Sequence, residues 1–179
     1  MQIDRSEIID LLSQTPLFSY LDPGRLNRLT ALCSLGTYRA GESIFSEGDP
    51  SDEMYVIYDG QVTLSADKKG KQPVFASLQR GDLFGEEALL VDDPRFYQAV
   101  AATDLVLICL SVENYLYLYE EMPEIEERLE VSVDSRRLSI NTRVPWLGED
   151  EYVQVIARRH PVILWRRKSG PIPTAPSMP

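Results

Sequence analysis

The sequence predicts an α+β fold that is mainly β, a barrel or sandwich of short strands with helices at both ends. Three observations predict it. Between residues 35 and 110, short apolar runs recur at regular intervals with a turn signal between most of them. Eight of the ten glycines fall between residues 24 and 85, so unusual backbone angles are concentrated in the same stretch. On either side, the apolar residues repeat with a helical period.

Ser6 is a candidate cap for a first helix carrying Ile8, Ile9, Leu11 and Leu12, which Thr15-Pro16 ends because a residue before proline is pushed out of the helical region. Asp22-Pro23 starts a second helix, a capping acid followed by proline at the first helical position. Its apolar face is Leu26, Leu29, Ala31, Leu32 and Cys33. Candidate strands follow at Tyr38, Ile44, 54–58, 62–64, 74–78, 99–102 and 105–110. Asp59-Gly60, between MYVIY and QVTLSA, reads as a hairpin turn. Helix returns after Ser111, a third capping residue, breaks at Met122-Pro123, and resumes through Ile125, Leu129, Val131, Val133 and Leu138. Residues 1–140 are therefore expected to form one domain. Residues 141–169 read as a small basic appended segment, and 170–179, with four prolines, as a disordered tail.

Composition narrows the function classes. The 179 residues hold 18 Lys+Arg against 28 Asp+Glu, a formal charge of −10. That balance is unevenly spread: residues 131–179 carry eight bases and four acids, so residues 1–130 carry −14. An acidic body argues against nucleic acid as a partner. A single histidine, His160, argues against histidine catalysis and multi-histidine metal sites, and carboxylate runs such as 124–130 read as solvated helix faces. No catalytic residue, metal site or cofactor is expected. Cys33 and Cys109 lie in apolar segments without metal-ligand spacing and read as free thiols of a reducing cytoplasm.

One segment carries chemistry: Asp82-Leu83-Phe84-Gly85-Glu86-Glu87-Ala88-Leu89-Leu90, followed by Pro94-Arg95. Gly85 leads into a short helical run, and amides at such a start point outward and hold anions. Gly85 and Ala88 are small enough to let an oxyanion reach the backbone. Arg95 offers a charge-assisted pair. Glu86 repels a bare phosphate, but it accepts hydrogen bonds from hydroxyls such as those of a ribose. The spacing thus describes a sugar-phosphate site. The ordinary alternative is a capped turn with Arg95 paired to Asp92, Asp93 or Glu87.

With these residues in place, the sequence resembles the cyclic nucleotide-binding domain family, shared by catabolite activator proteins, the regulatory subunit of protein kinase A and cyclic nucleotide-gated channels. The resemblance covers about residues 9–130. It rests on Leu11-Leu12 with Leu17-Phe18, the run AGESIFSEGD at 40–49, MYVIYDGQV at 54–62, FGEEALL at 84–90, and Pro94-Arg95. It implies an eight-stranded jelly-roll-like barrel flanked by helices, regulatory rather than enzymatic, with cyclic AMP or cyclic GMP as ligand. It further implies that Glu86 accepts the ribose 2′-hydroxyl with help from Gly85. Arg95 would neutralise the cyclic phosphate, and amides at Ala88 and after Arg95 would complete the cradle, with Glu87 part of the same cassette. Phe96 and Tyr97 depart from the pattern, standing where the family has small residues. Strand side chains alternate, so each either points away from the pocket or fills the nucleotide's place.

Two functions follow. One is a sensor that binds a cyclic nucleotide and signals through its C-terminal helices, the segment that often dimerises in this family. Ile125, Leu129, Val133 and Leu138 make either a dimer seam or a packing face on the barrel. The other is a degenerate domain serving protein interaction or membrane tethering. Beyond the barrel, the remaining residues are too few for a helix-turn-helix output domain and contain no second recognition helix. The segment 145–168 is similar to the juxtamembrane lead-in of some bacterial membrane proteins. Its Arg158-Arg159 and Arg166-Arg167-Lys168 clusters suit either an anionic inner-membrane surface or an ordinary strand pair against the acidic barrel. The expected location is cytoplasmic, at most peripheral to the membrane.

Overall fold

The computed structural model describes residues 3–67, 70, 73–90, 93–119, 121–141, 151–153 and 166–168. Two helices open the chain, α1 (Arg5–Gln14) and α2 (Pro23–Leu32). The cap of α1 is Asp4, whose carboxylate accepts the Ser6 amide at 3.2 Å, so the helix starts earlier than Ser6 suggested. Asp22 accepts the amides of Gly24 and Arg25 at 2.8 and 3.1 Å and caps α2 as expected.

Eight strands follow: β1 (Ser34–Tyr38), β2 (Ser43–Phe45), β3 (Glu53–Asp59), β4 (Gln61–Ser65), β5 (Val74–Gln79), β6 (Leu83–Phe84), β7 (Gln98–Ala101) and β8 (Leu105–Ser111). They form two antiparallel four-stranded sheets, in the orders β1-β8-β3-β6 and β2-β7-β4-β5, the two walls of a jelly roll that does not close into a continuous barrel. The two-residue β6, paired to Tyr55 and Val56, was not among the sequence candidates. Between β6 and β7 lies a 3-10 turn, Glu86–Leu89. The helices α3 (Val112–Tyr119) and α4 (Glu124–Asn141) then return, and Ser111 caps α3 through the Asn114 amide at 3.2 Å.

The strand β3 explains why MYVIY is apolar without alternation. Met54, Val56 and Tyr58 face a core shared with the helices, packed with Phe18, Leu29, Leu118 and Met122. Tyr55 and Ile57 face the inter-sheet core with Val62, Leu64, Phe84 and Ala99. A strand covered on both faces needs no polar side. By contrast β4 is covered on one face and alternates.

The expected Asp59-Gly60 hairpin is not formed. β3 pairs with β8 and β6, whereas β4 pairs with β5 and β7, so the turn carries the chain from one sheet to the other. Gly60 sits at φ +95°, and a Cβ there would lie 2.4 Å from the Asp104 carbonyl oxygen. The loop 102–104 crowds the corner and ties it down, with the Thr103 hydroxyl accepting the Gln61 amide at 3.0 Å.

Of the four residues Ile125, Leu129, Val133 and Leu138, Ile125 and Leu129 are buried in the core shared with the helices, Val133 is buried and Leu138 is half-buried, so the first three serve packing within the chain. On α3, Tyr115 is buried while Tyr117 is 70% exposed, so the two lie on different faces of the helix. Cys33 and Cys109 are free thiols, and burial pushes both up to about 12. Of the appended segment, the strands β9 (Glu151–Val153) and β10 (Arg166–Lys168) pair antiparallel. The Arg158-Arg159 cluster, His160 and the tail 170–179 lie outside the described residues. Among the described residues, no helix is long and apolar enough to cross a membrane.

Candidate functional site

Gly85 is the pivot of the cassette. It adopts φ +76°, the left-handed region, and turns the chain from β6 into the 3-10 turn. A Cβ at this position would come within 3.0 Å of both the Arg95 guanidinium and the Glu53 carbonyl oxygen. The glycine is therefore what lets an arginine reach the backbone.

Arg95 is among the largest fully buried side chains, and its side chain is 1% exposed. Its backbone is paired on both sides to the turn at Gly48 and Asp49, at 2.8 and 2.9 Å, which fixes where the side chain starts. From there the guanidinium lies over the Phe45 ring, 4.2 Å from its centroid. Nη1 donates to the Gly85 carbonyl and to Glu87 Oε1, each at 3.0 Å, and Nη2 donates to the Glu53 carbonyl. Nε is buried without a partner. The ordinary alternative raised by the sequence, pairing of Arg95 with Glu87, is what the geometry shows.

Tyr97 points inward and is fully buried, the second of the two orientations open to it. Its ring packs against Phe45, Phe75 and Phe96 with centroids 5.3, 5.8 and 5.0 Å away. Its hydroxyl accepts the Gly85 amide at 2.7 Å and donates to Glu87 Oε2 at 3.1 Å. Burial raises the phenol well above its ordinary range, with Glu87 adding to it, so the group stays a hydroxyl. The Gly85 amide is thus already satisfied from within, and the Ala88 amide is spent on the Gly85 carbonyl at 3.2 Å. Phe96 is half-buried, with the Arg137 guanidinium 5.3 Å from its ring.

Glu86 and Glu87 are both buried in the 3-10 turn. Glu86 Oε1 accepts from the Ser132 hydroxyl at 2.7 Å and from Arg136 Nε and Nη2 at 3.2 and 3.1 Å. Arg136 Nη2 also donates to the Leu83 carbonyl at 2.8 Å. Glu86 Oε2 is buried with no partner. The Glu87 carboxyl is raised chiefly by burial and next by Glu86, with Arg95 opposing. Two carboxylates and two guanidiniums, Arg95 and Arg136, make the cluster neutral as it stands.

All seven residues expected from the sequence, Gly85, Glu86, Glu87, Ala88, Arg95, Phe96 and Tyr97, meet at one place. Sequence reasoning missed Ser132 and Arg136, which α4 brings to Glu86, and the Phe45 ring under Arg95. The spacing of Ser132 and Arg136, one helical turn apart, is the signal that would have put both on one face. Beside this cluster lies a cavity of about 540 Å³. Phe75, Leu78 and Leu83 line its barrel side, and Ser132, Ser135 and Arg136 line its α4 side.

The family model for the cyclic nucleotide-binding domain matches residues 35–122. A cAMP-dependent protein kinase regulatory subunit from Aspergillus niger is 35% identical over 119 residues, covering 66% of this chain and 28% of that protein. The Cyclic AMP receptor protein of Thermus thermophilus is 34% identical over 125 residues, 69% of this chain and 57% of that one. The chain thus spans under a third of the length of the first of these and under two thirds of the second. Among solved structures, the N-terminal domain of a transcriptional regulator from Streptomyces coelicolor superposes with a TM-score of 0.61 at 32% identity, over 72% of this chain and 92% of that one. The chain belongs to the cyclic nucleotide-binding domain family, whose modules of the regulatory-subunit and receptor type are regulatory rather than catalytic.

Proposed function

We propose that this module senses a cyclic mononucleotide, cyclic AMP or cyclic GMP, and passes occupancy on through α3 and α4. The observation that carries this reading is a pair of orphans in the cassette. Glu86 Oε2 is a buried acceptor without a donor, and Arg95 Nε is a buried donor without an acceptor. Leaving such groups unpaired is costly, more so when they are charged. A ligand that brings both a hydroxyl and an anionic oxygen, as a ribose cyclic phosphate does, has the chemistry to satisfy each of them. The neighbouring cavity, which meets the cluster at Ser132 and Arg136, offers an apolar wall for a flat ring on the barrel side and hydroxyls on α4. Kinship with proteins named for cyclic AMP points the same way. Because α4 contributes Ser132 and Arg136 to Glu86, ligand on Glu86 is felt directly by that helix. The reading places the module in the cytoplasm, acting on a protein partner.

A second reading, a barrel kept for protein interaction with its nucleotide site filled from within, is favoured by Tyr97 and Glu87. They already engage the Gly85 amide and Arg95 Nη1. Thermal-shift and calorimetric titration with cyclic AMP and cyclic GMP separates the two. Saturable binding that Arg95→Ala weakens by about 2–5 kcal/mol supports the sensor. No response to either nucleotide at millimolar concentration, at any pH where the protein is folded, leaves the interaction module.

A further inference from the structure

The Arg95 site is electrically complete before any ligand arrives. We propose that Glu87 is a built-in competitor for a ligand's negative charge, so that an anionic ligand is accepted together with one proton taken up by the Glu87 carboxylate. The inference rests on the nucleotide reading above and goes beyond it, since it concerns what the chain itself puts in the ligand's place.

Glu87 is held in that place by geometry. Its Oε1 lies 3.0 Å from Arg95 Nη1 and its Oε2 3.1 Å from the Tyr97 hydroxyl, and it is 1% exposed. The groups around it come from four elements. Its own turn contributes Glu86, which repels it. The segment leading into β7 contributes Arg95 and Tyr97, and α4 contributes Arg136, which neutralises Glu86. β3 supplies the Glu53 carbonyl that takes the other end of the guanidinium. Bringing a phosphate anion onto Arg95 would place three negative groups against two guanidiniums within a buried site. Desolvation and the neighbouring carboxylate already favour the protonated form of Glu87. A further anion favours it more, and the cheapest way to restore neutrality is to protonate Glu87. The carboxylic acid can still accept from Arg95 or Tyr97 through its carbonyl oxygen, so the proton does not cost the packing.

The test uses the full chain and cyclic AMP as probe. Calorimetric titrations at one pH in two buffers of different ionisation enthalpy count the protons taken up on binding. The expected count is close to one where Glu87 is ionised in the free protein, and affinity is expected to fall by up to about tenfold per pH unit as pH rises through that range. Glu87→Gln removes the competitor, so at the alkaline end of the range it should bind about tenfold tighter or better, and it should lose the pH dependence. Should that variant fail to fold, the two-buffer count on the unaltered protein decides alone. Binding without proton uptake and with a flat pH profile overturns the inference and leaves the nucleotide reading intact. Silence from both proteins toward cyclic AMP, and toward cyclic GMP in the same titration, across the whole pH range overturns both.

Discussion

Replacing Tyr97 with phenylalanine isolates one oxygen atom at the centre of the site. The ring stays, and with it the edge contacts to Phe45, Phe75 and Phe96, so little apolar packing changes. What is lost is the acceptor of the Gly85 amide at 2.7 Å and the donor to Glu87 at 3.1 Å. The stranded amide is a buried unsatisfied group worth about 1–3 kcal/mol, and a hydrogen bond to a charged group is worth about 1.5–3 kcal/mol. Because one atom makes both, the costs overlap, and a total of about 2–4 kcal/mol is expected. Urea unfolding followed by circular dichroism measures it as a lower midpoint at unchanged slope. A loss below about 0.5 kcal/mol would mean that the hydroxyl is not the partner of the Gly85 amide, and the internal filling of the cradle would have to be abandoned.

Three further outcomes follow from single features. Glu87 holds its proton more tightly in the folded state than its ordinary value of 4.5, so its contribution to stability is full below that value. The contribution is lost as pH rises through the folded-state value, and melts across this range should show the unaltered protein falling behind Glu87→Gln as pH increases. Gly60→Ala must place a Cβ against the Asp104 carbonyl from a positive φ, and a loss of about 3 kcal/mol or more is expected in the same urea assay. Cys33 and Cys109, with thiols pushed up to about 12, hold little thiolate near neutrality, so iodoacetamide should label them only once urea unfolds the chain.

What the sequence disclosed and what it withheld divide along a physical line. Local chemistry was legible: the Asp22-Pro23 cap, the break at Pro123, and the glycine before the EEAL turn are each decided within a few residues. Which strand pairs with which is not a local property. Asp59-Gly60 has the residues of a hairpin, yet the loop at 102–104 closes on it and sends β4 to the other sheet. The same holds at the site. The spacing of Glu86 and Arg95 announced the cassette, but whether Tyr97 faced in or out depended on the room left by Phe45 and Phe75, two strands that are distant in sequence. Arg136 looked like one base in a basic tail, and only the return of α4 over the turn makes it the partner of Glu86.

That return also changes what the charge of the chain means. A body of −14 argues against anionic partners only at distances where those charges act together, and salt screens them over about 8 Å. Within the cassette the count is two carboxylates against two guanidiniums, all of them largely buried and each guanidinium within hydrogen-bond reach of one carboxylate. Inside that distance, the identity of position 87 outweighs the remaining surface. A leucine there would leave Arg95 unpaired and the pocket positive, ready for an anion; the glutamate makes it neutral, and admission of an anion becomes a question of one proton. The acidity of this domain matters at the site through a single buried carboxylate, and the surface total has little part in it.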